Sequence, residues 1–433
     1  MATLSVEVIS KEIVKPSSPT PNDLHHYQLS FNDQMSPPVY NPLSLFYASD
    51  GDTKFNVDDI SDRLKKSLSE VLTLYYPLAG RIKDNSSIDC NDKGIPFLQA
   101  RVDCQLSDVV QNPVPGELNK LVPFELDTHT DIAFGVQLNV FECGGIAVGA
   151  CISHKVADAL SYFVFVRCWA AIACGDKDVV SPQFVAATLF PPKNISGGGF
   201  VPGVGITKDN IITNRYVFDA SKIEALKEKY ADQEGIEKQK PPSRVEALSA
   251  FIWNRFVAAT KDESGPEKLY SVHHAVNLRP RFEPPQPESS FGNLFSVAIT
   301  VPKLNSTGEE DDHHGLMRQV REQIKKIDAD YVKKLQQQGN QFLDFMRDHA
   351  AKFIKGEVVT FSFTSLCRFP LYEADFGWGK PTWFGSPALT FKNLVFFVDT
   401  PSGDGIEAYV SLKKEDMAKF QSDEEFHTFV SQT

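Results

Sequence analysis

The chain has 433 residues, with 44 Lys and Arg against 56 Asp and Glu, a net charge of −12; at roughly 150 residues per domain this length allows two or three domains, each able to bury its own core. A composition 42% hydrophobic and 23% charged is that of a soluble globular protein, and the negative field opposes a phosphate backbone, so no nucleic-acid partner is expected. No window reaches the ~18 uninterrupted apolar residues of a membrane helix, and the first twenty residues alternate apolar with charged groups rather than forming a signal sequence. The expectation is a cytoplasmic protein with no membrane partner.

In chain order, Ile60, Leu64, Leu68 and Leu72 recur every fourth residue and predict a helix, followed by strands around residues 97–102 and 133–141. Residues 145–153, G-I-A-V-G-A-C-I-S, are small and apolar without alternation, the pattern of a strand covered on both faces, and they end at His154. Residues 159–174 are apolar almost all round and stop at Gly175, as a buried helix does. His154 therefore sits on a strand-to-helix turn. Residues 181–215, rich in Pro and Gly, predict a crossover loop, which divides the chain into an N-terminal domain 1–180, completed by a segment near 362–385, and a C-terminal domain 216–433. Beyond Pro241-Pro242, Ser243-Arg244-Val245-Glu246 is a capping box opening a helix with Val245, Leu248, Ile252 and Phe256 on one face. After the acidic residues 309–312, Leu316, Val320, Ile324, Ile327 and Leu335 predict a further helix. Both periodicities mix throughout, so the class is α/β.

Of ten histidines, His154 stands out because buried elements flank it and a cleft can open at such a turn. Asp158, four residues on, has two readings: the cap of the following helix, accepting a backbone N–H, or a second metal ligand beside His154, for which no third ligand is near in sequence. The seven cysteines lie mostly in apolar runs without C-x-x-C spacing and read as reduced core residues. No Gly-x-Ser-x-Gly elbow marks a triad hydrolase.

The string S-H-K-V-A-D at residues 153–158, followed far downstream by D-F-G-W-G at 375–379, resembles the paired signature motifs of the plant BAHD acyl-CoA-dependent acyltransferases. The resemblance spans nearly the whole chain: K-P-S-S-P-T-P from Lys15, L-S-F-N-D-Q from Leu29, Y-Y-P-L-A-G-R from Tyr75, D-C-N-D from Asp89, A-V-N-L-R from Ala275, S-F-G-N-L from Ser290 and G-D-G-I-E-A from Gly403. Within the family these strings are most similar to the vinorine-synthase-like clade of alkaloid O-acetyltransferases. Leu294 replaces the cysteine of the anthocyanin-modifying clade.

The resemblance implies a two-domain chloramphenicol-acetyltransferase-like α/β fold, each domain a mixed sheet with flanking helices, and an active-site channel at the domain interface. It implies acyl-CoA, expected to be acetyl-CoA, as co-substrate, a small-molecule alcohol as acceptor, a monomer, no metal and no bound cofactor. His154 is then the general base that deprotonates the acceptor hydroxyl as it attacks the thioester. Asp158 is structural and pairs with Arg279; Asp375, Gly377 and Gly379 belong to a structural loop. Thr364 and Ser365 are candidate oxyanion donors, although Leu366 stands where relatives carry tryptophan. Ser243 and Arg244 are candidates for the CoA side, with an ordinary helix cap as the alternative. Two other functions compete: N-acylation of an amine, and a non-catalytic member acting as a binding protein.

Overall fold

The computed structural model describes residues 3–49, 56–128, 130–195, 210–231, 241–260, 269–302, 315–337, 355 and 357–431. The chain forms two compact units: one comprises Met1–Phe200, Pro285–Leu294 and Arg368–Leu389, the other Val201–Pro284, Phe295–Cys367 and Thr390–Thr433. The division departs in detail from the expected one. Two short returns complete the first unit, and the strand Val358–Ser365 stays with the second. Of the expected crossover 181–215, residues 196–209 lie outside the described residues.

In the first unit the described strands of the main sheet run in the order Val6–Val14, Ile95–Val102, Phe134–Phe141, Ile146–Ser153, Tyr40–Tyr47, Trp383–Gly385. Ile146–Ser153 is antiparallel to both of its neighbours and buried along its whole length, which explains its unbroken apolar sequence. A smaller sheet orders His26–Gln28, Ser87–Asp89 and Arg81–Lys83. The helix Ala159–Ala173 follows the central strand, and Trp169 on it donates Nε1–H to Leu64 O and Ser67 Oγ of the helix Val57–Leu74. That second helix buries Ile60, Leu64, Leu68 and Leu72, the expected stripe.

In the second unit the described strands of the sheet run Phe295–Thr300, Leu269–Asn277, Val358–Ser365, Leu394–Asp399, Ile406–Lys413, Ile211–Phe218, and among them the pairing is parallel only on the two sides of Val358–Ser365. The helix Arg244–Thr260 lays Leu248, Phe251, Ile252 and Phe256 into this unit's core, with Trp253 edge-on to Phe361 at 5.7 Å. Each unit is thus a mixed sheet with packed helices, as expected.

Two expectations need correction. The periodic run from Leu316 to Leu335 is two helices, Gly315–Lys325 and Ala329–Gln337, because Asp328 turns its side chain onto the Tyr331 N–H and starts a new helix. The cysteines are all reduced, but only Cys90, Cys151 and Cys168 are buried; Cys143 and Cys174 are exposed. Cys143 follows the end of its strand and Cys174 caps its helix, so neither shares the burial of the apolar run before it. Among the described residues no helix is long and apolar enough to cross a membrane.

Candidate active site

The strand Ile146–Ser153 delivers His154 into a tight turn: the His154 N–H donates to Val39 O at 2.8 Å and the Val156 N–H to Ser153 O at 2.9 Å. Asp158, in extended conformation, ends the turn as the cap of Ala159–Ala173, accepting from the Ser161 N–H at 2.9 Å. Its other oxygen accepts from the Leu294 N–H at 3.0 Å. The cap reading of Asp158 is therefore correct. Among the described residues no group of three or more His, Cys, Asp or Glu is placed to hold a metal ion.

The segment Pro285–Leu294 closes over the turn. Ser161 Oγ donates to Gly292 O at 3.0 Å and accepts from the Gly292 N–H at 3.1 Å. Gly292 has φ of 128°, and a Cβ there would lie 2.7 Å from Ala186 Cβ, so only glycine fits. Asn293 then donates from Nδ2 to His154 O and to Asp33 Oδ1, both at 2.8 Å.

The His154 side chain is half-buried, with Nδ1 itself buried. Burial pulls its pKa below the usual imidazole value, and the nearby Asp158 carboxylate pulls the other way without cancelling it. The shift favours the neutral ring, the form that accepts a proton. Lys155, next in the turn, is buried and donates to Gln34 O at 2.8 Å; burial lowers its pKa to about 8 against the upward pull of Asp33.

The D-F-G-W-G loop belongs to the same unit. Asp375 Oδ1 accepts from the N–H groups of Gly377 and Gly379 at 2.8 and 2.9 Å, and both glycines have positive φ, 101° and 103°. Arg63 donates to the carbonyls of Phe376 and Gly377. The carboxylate's bonds are spent inside the loop.

The remaining expected residues lie in the second unit, so Asp158 and Arg279, the pair implied by the resemblance, belong to different units. Arg279 is buried just after the strand Leu269–Asn277, and its N–H and Nη1 donate to Asn277 Oδ1 at 3.1 and 3.3 Å. Thr364 and Ser365 end their strand half-buried; Ser365 Oγ accepts from the Cys367 N–H, and the Leu366 N–H is committed to Phe397 O. Ser243 and Glu246 exchange the reciprocal bonds of a capping box, and Glu246 is also paired with Arg321 at 2.7 and 3.0 Å. Arg244 reaches Asp399 at 2.7 Å and the carbonyls of Gly403 and Asp404, tying the G-D-G-I-E-A string to the helix start.

Sequence reasoning assigned no role to Asp33, Lys155 or Asn293, although all three lie within the strings that carry the resemblance.

The model of the transferase family matches residues 4–427. The chain is 39% identical over 427 residues to stemmadenine O-acetyltransferase of Catharanthus roseus, covering 96% of each chain. It is 37% identical over 424 residues to limonoid 21-O-acetyltransferase of Melia azedarach, covering 97% of each. Its structure matches the crystal structure of vinorine synthase with a TM-score of 0.85 at 34% identity, covering 99% of both chains.

Proposed function

The chain belongs to the plant family of BAHD acyl-CoA-dependent acyltransferases, and from that premise we propose that it acetylates a hydroxyl group of an alkaloid with His154 as general base. Membership makes it an enzyme that moves an acyl group from acyl-CoA to a hydroxyl of a specialised metabolite. The observation that carries the assignment of His154 is its place in the turn: half-buried, anchored through its own N–H and C=O, and shifted toward the neutral form.

With Nδ1 buried, Nε2 takes the proton. An alcohol is a poor nucleophile while it keeps its hydrogen, so removing that proton as the oxygen approaches the thioester carbon lowers the barrier. A C–O bond forms, the carbonyl oxygen becomes an oxyanion, and its collapse breaks the C–S bond. The imidazolium returns its proton to the departing thiolate, leaving ester, CoA–SH and neutral His154. Thr364 and Ser365 are the candidate donors to the oxyanion. In this reading Ser243 and Arg244 support the CoA side by holding the start of their helix and the loop at Gly403, and attack is direct within a ternary complex. A cytoplasmic monomer completes it.

The acetyl donor is favoured because the similar relatives are named as O-acetyltransferases. Stemmadenine O-acetyltransferase supports an alkaloid acceptor; the limonoid acetyltransferase, nearly as similar, makes a limonoid alcohol the second reading. Acyl-CoA thioesters assayed against a panel of alkaloid and terpenoid alcohols and amines, with mass-spectrometric detection, test the assignment. An acetylated alkaloid alcohol is the expected product; turnover only with amines or only with longer acyl donors overturns it.

A further inference from the structure

We propose that Asn293 is a positioning residue for His154, and that the buried carboxylate of Asp33 is the group that holds Asn293 in place. The inference rests on His154 being the base. Asn293 is fully buried, and both hydrogens of its carboxamide are committed, one to His154 O and one to Asp33 Oδ1, each at 2.8 Å. Its main chain is fixed as well: the N–H donates to Asp33 Oδ1 at 3.0 Å and the carbonyl accepts from Asn32 Nδ2 at 3.1 Å. A planar amide with both N–H bonds spent cannot rotate, so the side chain holds one pose. One side chain thus grips the histidine at its main-chain carbonyl.

Asp33 makes that grip rigid. Its Oδ1 takes both Asn293 donors and its Oδ2 takes the Ser30 N–H at 2.8 Å and the Ser30 hydroxyl at 2.7 Å, so four donors converge on a carboxylate with no exposed surface. Such a carboxylate is costly to bury unless its acceptor sites are filled, and here they are. The Lys155 ammonium beside it donates to the carbonyls of Asp33 and Gln34 and supplies the compensating charge. Residues 30–33, 154–158 and 292–294 therefore lock at one point, from which the imidazole projects. An imidazole displaced by even ~1 Å from its productive pose is expected to lose much of its rate.

The charged group bearing on the ring is Asp158, at the helix start. Removing the Asn293 side chain takes away the donor to His154 O and leaves the carboxylate of Asp158 in place, so the imidazole loses its anchor and not its charged neighbour.

The test compares wild type, Asn293→Ala, Asp33→Asn and Ser161→Ala in steady-state assays with acetyl-CoA and an accepted alcohol from pH 5 to 9. Thermal melting verifies folding of each. Asn293→Ala is expected to lower kcat by between about 10- and 100-fold, with the KM for acetyl-CoA changed less than about twofold. Asp33→Asn should lower kcat in the same way. Ser161→Ala, which loosens Gly292 without touching the Asn293 carboxamide, should melt lower yet keep kcat within about twofold of wild type. A near-wild-type kcat in folded Asn293→Ala overturns the proposal, as does an equal loss of kcat in Ser161→Ala. Should Asp33→Asn fail to fold, Asn293→Ala decides alone. If His154→Ala retains wild-type rate, the general-base assignment itself has failed; if it is inactive and Asn293→Ala is normal, only the positioning role has.

Discussion

Leu294 donates its main-chain N–H to Asp158 Oδ2 at 3.0 Å, joining positions 136 residues apart in sequence, while the other oxygen of the same carboxylate caps the helix at Ser161. Asp158→Ala removes the cap, worth ~1 kcal/mol, and leaves a buried N–H without its acceptor, costing ~1–3 kcal/mol more. Urea denaturation should show Asp158→Ala less stable by about 2–4 kcal/mol, with Asp158→Asn closer to wild type because it keeps one acceptor oxygen. Equal, near-zero effects would mean that neither bond matters.

Gly377 has φ of 101°, and a Cβ there would collide with Arg63 Nη1. Gly377→Ala must strain the loop and displace the guanidinium, a cost of ~1–3 kcal/mol. Asp375→Ala frees two loop N–H groups and should destabilise comparably. For a loop whose work is structural, both variants should melt at lower temperature and, assayed well below that temperature, keep kcat within about threefold of wild type. A loss of kcat in a fully folded variant would give the loop a part in the chemistry.

Lys155 has its pKa lowered to about 8 by burial, from an ordinary 10.5. Between these values the unfolded chain binds the proton more tightly than the folded one, so the burial cost is present below pH 8 and relieved as pH rises toward 10.5. The stability of wild type relative to Lys155→Met should accordingly improve between pH 7 and pH 9.5 in urea melts. A difference independent of pH would show that the ammonium is not held in so enclosed a setting.

Much of this was legible in sequence because it is local. The caps at Asp158 and Ser243 act on N–H groups three residues away, and the buried strand before His154 declares itself by its own unbroken apolar run. The break at Ile327 was hidden because Leu316 to Leu335 keep helical spacing across it, and the turn rests on the Asp328 side chain and on Arg281, distant in sequence, whose Nη1 donates to Ile327 O at 2.9 Å. The exposure of Cys143 and Cys174 escaped for a related reason: apolar neighbours foretell burial of a segment, not of the residue just past its end. Asp33 and Asn293 carried no signal of their own, since a partner 260 residues away leaves no periodicity and either residue alone reads as a turn former.

Neither Cys151 nor Cys367 is set up to carry the acyl group. Cys151 is buried, which pushes its thiol far above the ordinary value, and burial raises Cys367 to about 11 even with Arg244 nearby. At neutral pH a thiol of that pKa is thiolate in only about one molecule in ten thousand. Enzyme mixed with acetyl-CoA alone should release no stoichiometric burst of CoA, and its intact mass should not rise by an acetyl group. Either signal, lost again in Cys367→Ala or Cys151→Ala, would replace direct transfer with a covalent relay.

The central claim is that His154 takes the proton from the acceptor hydroxyl, and the most direct measurement is kcat for His154→Ala, with folding verified by thermal melting and acetyl-CoA binding by calorimetry. The side chain is half-buried at a turn whose anchoring bonds are made by the main chain, so the variant should fold and bind as wild type does. Its kcat should fall by about 10²–10⁴-fold, whereas turnover at the wild-type rate would contradict the assignment.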